Sequence, residues 1–159
     1  MYKHKSSGFT LIELLVVIAI IALLSSTVMS SLSSARAKSR DATRAATLRS
    51  LQAALEMYYN DNNAYPNTSL SWRGAVTFGV WGTGATGYIP GLVPTYISKL
   101  PLDPLGTGDG YLYISNGTDY KLLSHVSPES YPTNSALYDS VRPTWAWQVS
   151  SSPAAATTW

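Results

Sequence analysis

The chain has 159 residues, which is enough for one modest domain with a small core. Charged residues make up only 13% of it, against about a quarter in an ordinary soluble domain, and the formal net charge of +2 is too small to indicate nucleic-acid binding. The absence of cysteine excludes disulfides and thiolate metal sites. The low charge indicates a surface that is partly buried against a membrane, neighbouring subunits, or both.

A short basic segment and a long apolar run open the sequence. Residues 1–8, MYKHKSSG, show no periodic pattern, so we expect a targeting leader rather than part of the fold. Residues 9–32 are apolar except for small or weakly polar side chains and one carboxylate, Glu13. Since a membrane span needs roughly 20 residues, we expect this range to cross a bilayer and to serve as the assembly half of a longer helix.

Glu13 argues against a plain secretory signal. A carboxylate in hydrocarbon costs about 2.5 kcal/mol or more, so it calls for a partner. Cleavage between Gly8 and Phe9 creates one, because the new Phe9 ammonium of one copy could pair with Glu13 of the next. Gly8 and Phe9 are therefore the candidate cleavage site, and Phe9 and Glu13 the candidate assembly contacts. The simpler alternative is an anchor in which the N-terminal helix dipole tolerates Glu13.

The string GFTLIE at residues 8–13, followed by an apolar helix, resembles the leader of the type IV pilin and type II secretion pseudopilin superfamily. The resemblance implies that a membrane prepilin peptidase cuts after Gly8 and N-methylates Phe9. It also implies a single-pass inner-membrane protein, held in lipid with its C-terminal domain outside. An assembly platform and its ATPase would then stack it, through Glu13 and the helix, into an extracellular or periplasmic polymer of itself.

Five basic residues follow the apolar run, namely Arg36, Lys38, Arg40, Arg44 and Arg49. The positive-inside rule would place the C-terminal part in the cytoplasm, against the orientation that the resemblance implies, which we keep because Lys3 and Lys5 lie close to the membrane edge. Three of the arginines recur every four residues and indicate a solvated or lipid-facing stripe. Salt bridges to neighbouring subunits are an alternative, and nucleic acid is disfavoured because no aromatic residues are interleaved.

Residues 9–65 contain neither proline nor glycine, which permits one continuous helix. In its amphipathic half, 33–64, an apolar face recurs at three- and four-residue steps through Leu48, Leu51, Leu55 and Tyr58. This face predicts packing against a sheet. The Asn- and Asp-rich residues before Tyr65-Pro66 end the helix.

The remainder predicts a loop region at 65–109, a small antiparallel sheet at 110–149 and a flexible tail at 150–159. Alternating apolar and polar residues flank Asn116-Gly117, a strong hairpin signal, and residues 145–149 give a weaker third strand. The expected fold class is therefore α+β, a pilin-like long N-terminal helix packed on a small sheet.

From about Leu48 to Ile114, the strings YYNDNNAYP, GLVPTYISKLPLDPLG and GYLYI resemble the major, G-type pseudopilin of type II secretion. The resemblance implies a structural subunit of the secretion pseudopilus. It further implies a calcium-binding loop after the hairpin, but residues 126–142 offer only Glu129 and Asp139 as carboxylates, whereas calcium takes six to eight oxygens. We therefore expect no metal or other cofactor. Where classical type IV pilins use a disulfide, we expect aromatic packing by Trp145, Trp147 and Tyr138.

Other functions are open at this stage. A type IV pilin for adhesion, motility or DNA uptake would use the same helix. A protein of another class, a membrane-anchored extracellular binding domain that never polymerises, would also fit the anchor, as would a soluble protein released after Ala35.

Catalytic motifs are weak. Gly82, Gly84 and Gly87 spell the dinucleotide fingerprint G-x-G-x-x-G, but the segment that follows continues as a loop instead of opening a helix. Outside the leader the only histidine is His125, and turn or cap roles account for three aspartates, Asp103, Asp109 and Asp119. We expect no catalytic residues.

Overall fold

The computed structural model describes residues 8–106 and 109–159. Helix α1 (Leu11–Asn62) is followed by strands β1 (Arg73–Gly74), β2 (Gly110–Ser115), β3 (Tyr120–His125) and β4 (Ala146–Ser150), and by helix α2 (Pro153–Thr158). The long helix and the small antiparallel sheet confirm the predicted α+β fold. Of the predicted leader, only Gly8 lies within the described residues.

The chain forms two compact units, the first ending at Ala37 and the second running from Lys38 to Trp159. In the first unit the large apolar side chains of helix α1 are exposed, from Leu11 at 80% to Leu32 at 43%. By length and composition the helix is able to cross a membrane. An apolar surface of this extent needs lipid or other protein to cover it.

In the second unit helix α1 becomes amphipathic, as predicted. Leu48, Leu51 and Leu55 are fully buried, and Tyr58 is half-buried against the same core. The face continues one turn towards the N-terminus with polar residues, because Arg44 and Asp41 are also buried. The helix ends at Asn62, as the run of asparagines indicated.

The sheet has the order β1-β2-β3-β4 and is antiparallel throughout. Strands β2 and β3 form the predicted hairpin, with Ser115 opposite Tyr120. Its turn is held by the Asn116 side chain, whose Oδ1 accepts hydrogen bonds from the backbone N–H groups of Thr118 and Asp119 at 2.9 and 2.7 Å. Strand β4 matches the weaker third strand, whereas the two-residue strand β1 was not predicted.

Both faces of the sheet are covered. One face packs its aromatic and aliphatic side chains, such as Tyr113, Tyr120 and Leu122, on the leucines of helix α1. The opposite face carries a smaller cluster, Leu112, Leu123 and Ala146, packed with Trp72. The sheet is therefore the middle of the unit, and strand β2 is buried along its whole length.

The expectation of a flexible tail at 150–159 is corrected, because residues 153–158 form helix α2. Ser152 caps this helix by accepting a hydrogen bond from the Ala155 N–H at 3.2 Å, Pro153 fits its first turn, and Ala155 is buried. Ser152-Pro153 is a helix-start signal that the low-complexity composition obscured.

The predicted aromatic packing is only partly right. Trp147 lies in the core, and its indole Nε1–H donates to the Ser130 carbonyl at 2.9 Å. Tyr138 forms an isolated bridge with Trp147. Trp145, however, is 61% exposed and lies just before the first residue of β4.

Candidate functional site

Helix α1 begins with a reciprocal pair of hydrogen bonds between Thr10 and Glu13. The Glu13 carboxylate accepts hydrogen bonds from the Thr10 backbone N–H at 2.8 Å and from the Thr10 hydroxyl at 2.7 Å. In return, the Glu13 backbone N–H donates to the Thr10 hydroxyl oxygen at 3.3 Å. This is a capping box, in which the residue before the helix and the third helical residue satisfy each other's backbone donors. Glu13 therefore has an intramolecular role that the sequence analysis did not predict.

Gly8 and Phe9 precede the helix and are exposed, Phe9 by 86%. A Cβ atom on Gly8 would meet no atom of the described chain within 4 Å. Among the described residues, nothing covers the peptide bond between Gly8 and Phe9. Only one turn of helix separates Phe9 from Glu13, so both assembly candidates lie at the same end of the exposed apolar segment.

The basic stripe is not a single feature, because Arg44 is fully buried. Arg44 binds Asp103 through two hydrogen bonds and Asp41 through a third. Arg40 binds Glu129 bidentately, with its Nη2 2.8 Å from Oε2. The solvated stripe predicted for these two arginines is therefore wrong, and the unit itself supplies their partners.

Asp41 completes this cluster from the helix side. Its carboxylate accepts the Glu129 N–H at 2.9 Å and the Ser130 hydroxyl at 3.0 Å, so it fixes the loop after β3 to helix α1. The hydrogen bonds that Arg40 donates hold the pKa of Glu129 below its usual value. The cluster joins α1, the loop before β2 and the loop after β3.

A second buried cation lies on the far side of the sheet. Lys121 of β3 has no exposed surface, nor has Asp139 of the loop before β4. The Lys121 Nζ lies 3.3 Å from Asp139 Oδ2 and donates to the main-chain oxygens of Ala156 and Trp159 at 2.9 and 2.6 Å. Burial lowers the pKa of Lys121, and the charge of Asp139 opposes that shift.

The residues of the loop 126–142 do not fit a calcium ion. Glu129 is bound by Arg40, and Asp139 faces Lys121 and Arg142. Within residues 8–106 and 109–159, no group of three or more His, Asp or Glu side chains is placed to hold a metal ion. Calcium also prefers a surplus of negative oxygen ligands, whereas each carboxylate here is matched by a cation.

The glycine motif lies in a loop of turns. The Gly87 N–H donates to the Gly84 carbonyl at 2.9 Å, and the segment is anchored by the fully buried Tyr88 and Ile89. Among the described residues, no strand leads directly into these glycines and no helix begins directly after them, so the context for a dinucleotide site is missing.

The candidate acid–base residues are also structural in their contacts. His125 Nδ1 lies 2.7 Å from Asp109, at the end of the β2–β3 pair. Asp103 binds Arg44, and Asp119 accepts the Ser151 hydroxyl at 2.7 Å. The three aspartates thus lie in separate contacts instead of forming the carboxylate pair of an acid–base site.

A sequence model described as prokaryotic N-terminal methylation motif matches residues 3–29, and one described as type II secretion system (T2SS), protein G, matches residues 28–130. The chain belongs to the type II secretion system protein G family. This confirms the resemblance seen in the leader and in the middle of the chain. The family is one of structural pseudopilin subunits and not of enzymes.

Three proteins with known names show what the chain is similar to. The type II secretion system core protein G of Pectobacterium carotovorum subsp. carotovorum is 33% identical over 130 residues, which cover 81% of this chain and 80% of the relative. That of Pseudomonas aeruginosa is 33% identical over 118 residues, 74% and 80% of the two chains. The type IV wide pilus major component PilA4 of Thermus thermophilus is 38% identical over 93 residues, 54% and 71%. No solved structure is significantly similar to the chain.

Proposed function

We propose that this protein is a structural subunit of a type II secretion pseudopilus. The observation that carries the proposal is the exposed apolar start of helix α1, with its one carboxylate at Glu13, in a chain of the protein G family. Prepilin peptidase cuts between Gly8 and Phe9 and methylates the new Phe9 amine. The match to the N-terminal methylation motif and the exposure of both residues support this processing step.

Assembly then removes residues 9–32 from lipid and packs them against the same segment of other copies. Apolar side chains can pack at several offsets along the helix axis. A charged contact is therefore needed to fix the axial position of one subunit relative to the next. Glu13 of one subunit and the Phe9 ammonium of the next supply it, and each offsets the desolvation of the other.

Mass spectrometry of the N-terminus of protein from the native host tests the processing. We expect a chain that starts at methylated Phe9. An intact Met1, or a cut near Ala35, would contradict the proposal and favour a plain anchor or a released soluble domain.

Two variants of Glu13 separate its two roles. Glu13→Gln keeps a side chain that can complete the capping box but removes the charge, whereas Glu13→Ala removes both. We expect both variants to insert in the membrane at wild-type levels and neither to form filaments, as seen by electron microscopy of sheared material. If Glu13→Gln assembles normally, the charge pair is wrong and the capping role is sufficient.

The proposal places the globular unit outside the inner membrane, with the assembly platform and its ATPase as partners. A topology reporter fused after Trp159 tests this orientation against the positive-inside rule. Activity of a reporter that works only outside the cytoplasm is expected, and activity of a cytoplasmic reporter would reverse the orientation.

A second candidate is a type IV pilus subunit, favoured by the similarity to the Thermus thermophilus wide pilus component. Gene neighbours distinguish the two, because a secretin with minor pseudopilins indicates secretion and a retraction ATPase indicates a pilus. Deletion of the gene gives the functional test. Loss of exported enzymes supports the pseudopilus, and loss of surface filaments with secretion intact supports the pilus.

A further inference from the structure

Lys121 occupies an unusual place for a lysine. It lies in the sheet, which is the middle layer of the unit, between Ile114 of β2 and Ser150 of β4. Its side chain has no exposed surface. A buried ammonium is costly unless oxygen atoms replace its water. The surroundings of its Nζ therefore indicate what the charge does.

All the oxygen partners of Lys121 come from the C-terminal part of the chain. They are the Asp139 carboxylate and the main-chain oxygens of Ala156 and Trp159. The match to the protein G sequence model ends at residue 130, so these partners lie beyond it. The ammonium thus holds together a loop and helix α2 that the matched part of the family does not include.

Asp139 is organised around the same charge. Its Oδ1 accepts the backbone N–H groups of Val141 and Arg142 at 2.8 and 3.2 Å, which folds the loop into a turn. The Arg142 guanidinium lies 3.5 Å from Oδ2 and donates to the main-chain oxygen of Trp159 at 2.9 Å. Two cations, Lys121 and Arg142, therefore neutralise the Asp139 carboxylate and its neighbouring oxygens, and no surplus of negative oxygen ligands remains for a divalent metal ion.

We propose that the Lys121 ammonium acts as a built-in cation that fixes residues 137–159 on the sheet, so that the globular unit folds without calcium. Because the ammonium is covalently part of the chain, no ion has to be bound from the medium. A filament made of such subunits would not depend on calcium either, but that consequence rests on the proposed function. The folding claim does not, since it concerns the single chain.

Thermal unfolding of the full chain in detergent micelles tests the claim directly. Near-ultraviolet circular dichroism follows the globular unit, because all five tryptophans lie at or after Trp72. We expect the same midpoint in EDTA and in millimolar calcium chloride, to within about 1 °C. A specific calcium site would raise the midpoint by roughly 5 °C or more, which would overturn the proposal.

Lys121→Met, which keeps the length of the side chain, tests the ammonium itself. We expect a midpoint lower by roughly 10 °C, because Asp139 is left buried with less compensation. The matched control is Lys99→Met at an exposed lysine, which should change the midpoint by about 1 °C or less. A wild-type midpoint for Lys121→Met would refute the proposal.

If Lys121→Met does not fold, two measurements keep the idea testable. The double variant Lys121→Met/Asp139→Asn retains an acceptor for the turn but removes the lone charge, and it should fold where the single variant does not. In the wild type, amine-reactive labelling should modify Lys38 and Lys99 and spare Lys121 equally in EDTA and in calcium. Labelling of Lys121 in EDTA alone, or a double variant no better than the single one, would show that the ammonium is not the organising cation.

Discussion

Arg44 of helix α1 binds Asp103 of the loop before β2 through two hydrogen bonds, from Nε to Oδ2 at 2.7 Å and from Nη2 to Oδ1 at 3.0 Å. Burial by itself lowers the pKa of Arg44, but the hydrogen bonds and charges of Asp103 and Asp41 outweigh it and raise the pKa above its usual value. The guanidinium therefore stays charged inside the unit. It links the base of the amphipathic half-helix to the loop that leads into the sheet.

Replacement of Arg44 by methionine should lower the free energy of unfolding by about 3–5 kcal/mol, because Asp103 and Asp41 are left as buried charges without a guanidinium. Urea unfolding followed by tryptophan fluorescence measures the effect. Arg49→Met, at an exposed arginine on the same helix, is the control and should be close to neutral. The double variant Arg44→Met/Asp103→Asn should recover part of the loss. Recovery of nothing would mean that packing of the arginine, not its charge, stabilises the unit.

Gly74 in strand β1 lies too close to its neighbours to accept a side chain. A Cβ atom there would lie 2.6 Å from a Leu112 methyl carbon and 2.8 Å from the Thr77 carbonyl oxygen. We expect Gly74→Ala to destabilise the unit by about 1–3 kcal/mol, since the edge strand must move away from β2. Gly84→Ala serves as the control, because its Cβ would meet nothing within 4 Å. Equal stabilities of the two variants in the same urea assay would contradict this packing.

Alkaline pH should unfold the globular unit in part through Tyr65. Burial first, and then the hydrogen bond and charge of Glu56, raise the pKa of Tyr65 from 10.0 to about 12. Because the folded chain holds this proton more tightly than the unfolded chain, the stabilisation is complete below pH 10 and is lost as the pH rises towards 12. The difference in unfolding free energy between wild type and Tyr65→Phe should therefore shrink over that range. Glu56→Gln should move the ionisation of Tyr65, seen by phenolate absorbance, to lower pH, and an unchanged value would exclude the contact.

Local patterns predicted the parts of this fold that depend on neighbouring residues. The helix followed from the absence of glycine and proline and from the spacing of Leu48, Leu51 and Leu55, and the hairpin from Asn116-Gly117. Strand β1 was missed because two residues carry no periodicity, and it forms only because β2 offers a partner edge. Helix α2 was missed because an Ala- and Thr-rich stretch was interpreted by its composition and not by its cap.

The roles of Arg44 and Lys121 depend on partners far away in the sequence. Asp103 lies 59 residues from Arg44, and no local rule pairs them. One signal was present for Arg44, since it precedes Leu48 by four residues and therefore shares the buried face. The alternation of side chains along β3 placed Lys121 on the sheet face that points away from helix α1. Residues 137–159 cover that face, and no periodic pattern in the sequence indicated their packing.

The capping box at the start of helix α1 affects the state of a subunit that is held in the membrane before assembly. Thr10 gives the Glu13 carboxylate two hydrogen bonds within its own chain, so the charge enters lipid already partly satisfied. The carboxylate therefore has hydrogen-bond donors before a subunit meets a neighbour. If Glu13 pairs with the Phe9 ammonium of the next subunit as proposed, joining the filament exchanges the hydrogen-bond donors of Thr10 for that ammonium and does not have to neutralise an unpartnered carboxylate.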